Sequence, residues 1–285
     1  MKILVYSNIK KDINYSKTLE IINYLLTKEI DVVVSEKMYE QLSTYNVSCF
    51  HEIVASSIDL LIVLGGDGTF LSAAHEFEKY HIPFLGLNLG RVGYLTECDI
   101  ENCFTIIDKV LNNEYSVSEK TLLEVQISTN DNYQKFNAFN EVVIHRGNSL
   151  KMLKFDVKVK DDFMDTFYAD GVLVSTSMGS SAYNLSAGGP LLLENAKCFV
   201  ITSICSQSGI MPSVVVSDED LIEITAATKD ESDYSISIDG KGQILVKNGT
   251  SVFISKATVT LPVISIKKKQ KKMNHIIKAF NGYIK

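Results

Sequence analysis

Apolar residues over the first hundred positions follow two alternating rhythms. Ile3-Leu4-Val5-Tyr6, Val32-Val33-Val34 and Leu60-Leu61-Ile62-Val63-Leu64 are short continuous runs, the pattern of strands buried on both faces. The stretch from Ile82 to Leu87 predicts a fourth strand. Between these runs, Leu19, Ile22, Leu25 and Leu26 recur at helical spacing within 16–29, and Phe70, Ala73, Ala74 and Phe77 do so within 69–80. A further helix is predicted over 36–45. Strand–helix alternation of this kind predicts a parallel sheet with helices on its faces, an α/β domain over residues 1–100.

Past residue 100 the rhythm changes to period two. Phe155, Val157 and Val159 alternate with Asp156, Lys158 and Lys160, and Tyr234, Ile236 and Ile238 alternate with Ser235, Ser237 and Asp239. Such runs suit antiparallel strands with one buried face. Turn dipeptides recur at Asp170-Gly171, Asp239-Gly240 and Asn248-Gly249. Residues 101–261 therefore predict an all-β, sandwich-like domain with a helical insert near 180–196. A tail from about 262 to 285 is expected to pack back on the first domain. Its lysine run at 267–272 suits a solvated linker or helix face.

Composition narrows the function classes. Lys and Arg number 28 and Asp and Glu 34, so the formal charge is 28 − 34 = −6. A net acidic chain lacks the clustered cations with which duplex binders neutralise phosphates, so no nucleic-acid partner is expected. No apolar run approaches the roughly 18 residues of a membrane span, and the amino terminus is too short in apolar residues for a signal peptide. A cytoplasmic protein is expected. The five cysteines and five histidines show no CxxC or HxxxH pairing, which argues for free thiols and against structural zinc.

Four stretches carry candidate chemistry. Gly65-Gly66-Asp67-Gly68-Thr69 joins a buried strand to a helix. Glycine there allows positive φ and close approach of a ligand, and the helix start offers free N–H groups to phosphate. The same residues would also serve as a tight turn with Asp67 capping the helix. This is neither a GxxxxGK[ST] phosphate loop nor a GxGxxG fingerprint. In the stretch from Gly86 to Leu95, three glycines follow a strand and Arg91 could meet phosphate; an ordinary loop fits equally well. Asn140-Glu141 sits between apolar residues, where a polar pair is costly to bury without partners. It reads either as a ligand contact or as a solvated strand edge. The run from Asp170 to Pro190 brings a strand into a small-residue, hydroxyl-rich loop holding Met178, Gly179, Ser180, Ser181, Ala182 and Tyr183. Small residues let a ligand lie against backbone, and Tyr183 can stack on a flat ring. No GxSxG elbow surrounds either serine.

In that order and spacing, Gly65-Gly66-Asp67-Gly68-Thr69, Asn140-Glu141, Gly179-Ser180-Ser181-Ala182-Tyr183 and Ser186-Ala187-Gly188-Gly189-Pro190 resemble the NAD kinase family over about residues 1–265. The first element alone is shared with diacylglycerol, sphingosine and 6-phosphofructo-kinases. The resemblance implies an α/β amino-terminal domain, a β-rich carboxy-terminal domain and NAD bound between them. It implies a divalent metal, usually Mg²⁺, travelling with ATP or another phosphoryl donor such as polyphosphate, and a homodimer or homotetramer. By motif position the resemblance implies Asp67 as the proton acceptor. Gly68, Asn140, Glu141, Asp170, Met178, Gly179, Ser180, Ser181, Ala182 and Tyr183 would line the dinucleotide site, and Lys151, Tyr168 and Lys241 fall where the family places further ligand contacts. Gly65, Gly66, Gly68, Thr69 and Arg91 would form the donor phosphate loop. Met178 stands where the family usually has threonine, and Lys151 and Tyr168 where other members often have His and Arg.

Overall fold

The computed structural model describes residues 1–89, 98–99, 102–128, 133–160, 162–207, 212–229 and 231–266. Arg91, the lysine run at 267–272 and the rest of the tail lie outside the described residues. The chain divides into two compact units, Met1–Glu119 with Leu261–Lys285, and Lys120–Thr260.

The first unit is built on parallel strands in the order β5 (Phe84–Asn88), β4 (Leu60–Leu64), β1 (Lys2–Ser7), β2 (Asp31–Val34) and β3 (Ser48–Cys49). Short β6 (Cys98–Asp99) and the end of β18 (Ser251–Ser265) also pair with β5, the latter through Val263 opposite Phe84. The apolar runs read from the sequence are these strands. Every residue of β4 and β5 is buried, as strands covered on both faces require. Helix α1 (Ser16–Thr27) turns Ile21, Ile22 and Leu25 into the core, and its start is held by Asp12, whose carboxylate accepts from the N–H groups of Lys17 and Thr18 at 2.9 and 2.8 Å. Helices α2 (Glu36–Leu42) and α3 (Asp67–Phe77) follow β2 and β4. Helix α3 starts two residues earlier than its apolar stripe predicts, because the cap is Gly66 and the first turn is polar. Helix α4 (Cys103–Leu111) was not expected, although Cys103, Ile106, Ile107 and Val110 sit at helical spacing and are all buried.

The second unit is a sandwich. Strands β14 (Val214–Ser217), β13 (Cys198–Ile204), β12 (Gly171–Ser175), β9 (Glu141–His145), β16 (Tyr234–Ile238) and β17 (Lys241–Val246) form a six-stranded antiparallel sheet in that order. Opposite it lie β11 (Asp162–Ala169), β10 (Leu153–Val159), β15 (Ile222–Ala227) and β18, with the hairpin β7 (Ser116–Ser128) to β8 (Tyr133–Ala138). One core joins both layers: Phe155, Val157, Ile222 and Ile224 from one, Val142, Ile144, Val172 and Ile236 from the other. The period-two alternation is therefore the alternation of core and outer face. The helical insert expected near 180–196 is shorter, a 3₁₀ turn over Gly179–Ser181 and a single turn, α5 (Tyr183–Ser186). Gly188, at φ 88°, with Gly189 and Pro190 stops it. Among the described residues no helix is long and apolar enough to cross a membrane.

Candidate functional site

In the first unit, buried β4 delivers the chain to a corner at 65–69. Gly65 has φ 152°, and a β-carbon there would sit on the Thr69 side chain, so only glycine closes this turn. The Gly65 N–H bonds the Leu87 carbonyl at 2.9 Å, tying the corner to the end of β5. Asp67 is then the first residue of α3, half-buried, with acid and helix start at one point. Gly68 is exposed, with open space where a side chain would stand. The Thr69 hydroxyl is buried and has no hydrogen-bond partner among the described residues. Lys11, in the turn after β1, brings its Nζ within 3.6 Å of where a Gly66 β-carbon would be. Sequence reading missed Lys11, because only the fold carries the β1 turn to this corner. The unit thus presents helix N–H groups, an ammonium and a carboxylate around glycine backbone, a setting for phosphate.

In the second unit, Asn140 directly precedes β9 and Glu141 opens it. The Met178–Ser180 loop lies directly on them, since a β-carbon on Gly179 would collide with the Asn140 backbone. Thr176 fastens the two segments. Its N–H bonds the Asn140 carbonyl at 2.9 Å, its hydroxyl donates to the Phe139 carbonyl at 2.8 Å, and it accepts the Gly179 N–H at 3.0 Å. Ser180 and Asn184 are wholly buried and make structural bonds: Ser180 Oγ to the Ser177 carbonyl at 2.6 Å, and Asn184 Nδ2 to the carbonyls of Ser180 and Pro190 at 3.1 and 3.0 Å. Ser181 Oγ donates to the Met178 carbonyl at 3.2 Å, and the Ala182 N–H bonds the Gly179 carbonyl at 2.8 Å. Tyr183 stands exposed.

On the outer face of the six-stranded sheet, Glu141, Val143 and His145 of β9 line a cavity of about 360 Å³ together with Arg146, Asp170 and Tyr183. Burial, followed by the charge of Asp239, pushes the Glu141 carboxyl up to about 7, with the Tyr183 N–H pulling the other way. Glu141 Oε2 is buried without a hydrogen-bond partner among the described residues. Burial lowers His145, whose Nδ1 accepts the Gly147 N–H at 3.1 Å. Arg146 Nε pairs with Asp170 Oδ1 at 2.9 Å. His145, Arg146 and Asp239 were missed by sequence reading. His145 ends the strand that Glu141 begins and Arg146 directly follows it, which was a usable signal.

Lys151, Tyr168 and Lys241 do not border this cavity. Lys151 and Lys241 are exposed, and the Tyr168 ring lies 6.0 Å from Lys229 Nζ. A larger groove of about 830 Å³, between Tyr133, Phe253 and the turn at 247–251, touches none of the predicted site residues. The smaller cavity is the one with the chemistry, because it holds the buried carboxyl. Among the described residues no group of three or more His, Cys, Asp or Glu is placed to hold a metal ion.

Comparison with known proteins gives a consistent result. Residues 3–115 match the ATP-NAD kinase N-terminal domain, and residues 139–266 match the ATP-NAD kinase C-terminal domain. An NAD kinase of Caldanaerobacter subterraneus subsp. tengcongensis is 33% identical over 267 residues, covering 93% of this chain and 94% of the relative. One of Chlorobium phaeobacteroides is 32% identical over 265 residues, covering 93% and 92%. Among solved structures, yeast NADH kinase complexed with NADH superposes with a TM-score of 0.89 at 22% identity, covering 99% of this chain and 88% of that one. An NAD kinase from Archaeoglobus fulgidus in complex with ATP gives 0.74 at 23% identity, covering 96% of each chain. At these identities the solved structures establish the fold.

Proposed function

The chain belongs to the NAD kinase family, and on that premise we propose that it transfers the terminal phosphoryl group of ATP, or of polyphosphate, to the 2′-hydroxyl of the adenosine ribose of NAD, giving NADP. It is a phosphotransferase. The observation that carries the reading is the 65–69 corner, where an acid heads a helix at a glycine turn closed to any other residue. The yeast and Archaeoglobus neighbours were solved with NADH and with ATP, the two ligand types this reaction needs.

In the proposed reaction the ribose 2′-oxygen attacks the terminal phosphorus in line. An O–P bond forms, the bond to the bridging oxygen breaks, and ADP leaves. The transition state is loose, so positioning and charge neutralisation dominate. A carboxylate is too weak a base to deprotonate a ribose hydroxyl at the outset. Asp67 therefore orients the hydroxyl and takes its proton as bond formation advances. Gly65, Gly66, Gly68 and Thr69 supply backbone to the donor phosphates, with Lys11 and Arg91 as cations. Mg²⁺ bound to the donor's phosphate oxygens supplies further neutralisation when present. The β-rich unit holds the dinucleotide through Asn140, Glu141, Asp170, Gly179 and Tyr183. Ser181, Ala182, Lys151, Tyr168 and Lys241 make peripheral contacts. We place the reaction in the cytoplasm, a reducing compartment that suits the free thiols of Cys49, Cys103, Cys198 and Cys205.

The competing reading is a lipid kinase of the diacylglycerol type, which shares the glycine corner. A buried carboxyl in the cavity beside Asn140 suits a polar acceptor and not an acyl chain. With ATP and Mg²⁺, NAD should yield a product that an NADP-specific dehydrogenase accepts, and diacylglycerol should yield none. Phosphorylated lipid without NADP would reverse the assignment.

A further inference from the structure

Glu141 and Asp239 are two acids at one turn, held in opposite ways. Asp239 comes from the β16–β17 connection, at φ 48°. Its Oδ2 accepts the Phe139 N–H at 2.7 Å, and its Oδ1 accepts the N–H groups of Asn140 and Glu141 at 2.6 and 3.0 Å. Its own N–H returns a bond to the Glu141 carbonyl at 2.9 Å. Three successive backbone N–H groups around one carboxylate make a nest for negative charge, and they use acceptor lone pairs only. Glu141 has no such cradle. Its side chain is buried, and Oε2 has no partner among the described residues. Two neighbouring carboxyls, one of them removed from water, cannot both ionise cheaply, and Glu141, with the single Tyr183 N–H against the three N–H groups on Asp239, is the member that favours the proton.

Resting on the dinucleotide site proposed above, we propose that Asp239 is a positioning residue that grips the 139–141 backbone and holds Glu141 as an uncharged hydrogen-bond donor to an acceptor atom of the dinucleotide. The other groups facing Glu141 leave this arrangement in place. His145, on the same strand face, is disfavoured as a cation by burial. Arg146 spends its charge on Asp170 at 2.9 Å, and the Tyr183 N–H from α5, which favours the ionised carboxyl, is outweighed by burial and by Asp239. A neutral Glu141 also spares the diphosphate of the ligand a repelling charge. Burial and the charge of Asp239 raise this carboxyl to about 7, consistent with the geometry.

The test uses the full chain. Carbon-13 NMR of the ligand-free protein should show the Glu141 carboxyl titrating near 7, and at least about one unit lower in Asp239→Asn. An ordinary glutamate midpoint in the parent, or the same midpoint in both proteins, overturns the proposal. Calorimetric NAD titrations supply a second readout that does not depend on Asp239→Asn folding. If only the protonated form is competent, parent affinity should fall about 30-fold between about pH 6 and pH 8.5, about 16-fold of it above the midpoint. Glu141→Gln, a permanently neutral donor, should bind equally at about pH 6 and pH 8.5, within about threefold of the parent at pH 6. Loss of affinity by about tenfold or more at pH 6 in Glu141→Gln would mean a charged acceptor and refute the idea. If the parent binds no NAD at any pH, the dinucleotide site itself is wrong, and the NMR midpoints still judge the Asp239–Glu141 pair.

Discussion

Gly179 lies so close to Asn140 that the carbonyl oxygen of Asn140 occupies the space a β-carbon on Gly179 would need. The two residues are far apart in sequence, yet the loop carrying one is the floor under the other. The hydroxyl of Thr176 bonds both segments at 2.8 and 3.0 Å and fixes their separation. The shape of the Asn140-Glu141 turn thus depends on a residue with no side chain.

Gly179→Ala should therefore act on binding and stability together. One added methyl against backbone forces a shift that costs about 1–3 kcal/mol. We expect a lower melting temperature and weaker NAD binding, read by thermal denaturation and calorimetry. An unchanged melting temperature would mean that the loop yields freely.

Thr176→Val and Thr176→Ser separate shape from hydrogen bonding. Thr176 is 1% exposed, so valine removes two interior hydrogen bonds, the one to the Phe139 carbonyl and the one from the Gly179 N–H. The cost should be about 1–3 kcal/mol of unfolding free energy, and serine should recover most of it. Equal stability of the two variants in urea titrations would remove the bridging role.

Asp67→Asn keeps shape and hydrogen bonding at the head of α3 but removes the basic oxygen. Single-turnover transfer should slow by roughly 10²–10⁴-fold, the usual contribution of a general base. NAD affinity and melting temperature should change little. Transfer within a few-fold of the parent rate would reduce Asp67 to a helix cap.

Gly68→Ala gives the complementary result. Nothing lies within 4 Å of the added methyl, and alanine favours helix over glycine. Stability should hold or rise by up to about 1 kcal/mol, while turnover with ATP falls because the methyl projects where phosphate approaches. A fully active Gly68→Ala enzyme would place the donor elsewhere.

Glu141 also makes stability depend on pH. Its folded pKa is raised from 4.5 to about 7, so the folded state holds a proton that the unfolded chain releases. Its favourable contribution is present below about 4.5 and is lost as pH rises through about 7. His145, lowered by burial, acts in the opposite sense, since there the unfolded chain binds more protons. The informative quantity is the difference between parent and Glu141→Gln. Relative to the glutamine variant, the parent should lose up to a few kcal/mol between about pH 5 and pH 8. Parallel stability curves would show that Glu141 ionises freely in the folded chain.

What the sequence made legible was local. The runs Leu60 to Leu64 and Val32 to Val34 announce strands buried on both faces, and the Phe155-Val157 alternation announces a sheet with one core face. Glycines around Asp67 announce a turn that others cannot make. The unread features are those that only folding brings together. Asp239 grips residues 98–100 positions away, and Lys11 reaches Gly66 from the turn after another strand. Neither relation leaves a periodic trace. The 180–196 segment shows a different limit: a hydroxyl-rich start suggests a helix cap, but Asn184 spends its side chain on the Ser180 and Pro190 carbonyls and the helix ends after one turn.

The last strand among the described residues, β18, begins in the β-rich unit and ends beside β5, where Val263 pairs with Phe84 and Ile264 joins the amino-terminal core. During synthesis the chain emerges from its amino terminus onward. The α/β unit is made first, yet it waits for residues beyond 260 to fill that place, by which time the entire β-rich segment has been translated. A ribosome stalled before residue 261 would hold an amino-terminal sheet short of this partner. Trimming the gene at that point would likewise remove part of the first unit's core and not merely a terminus.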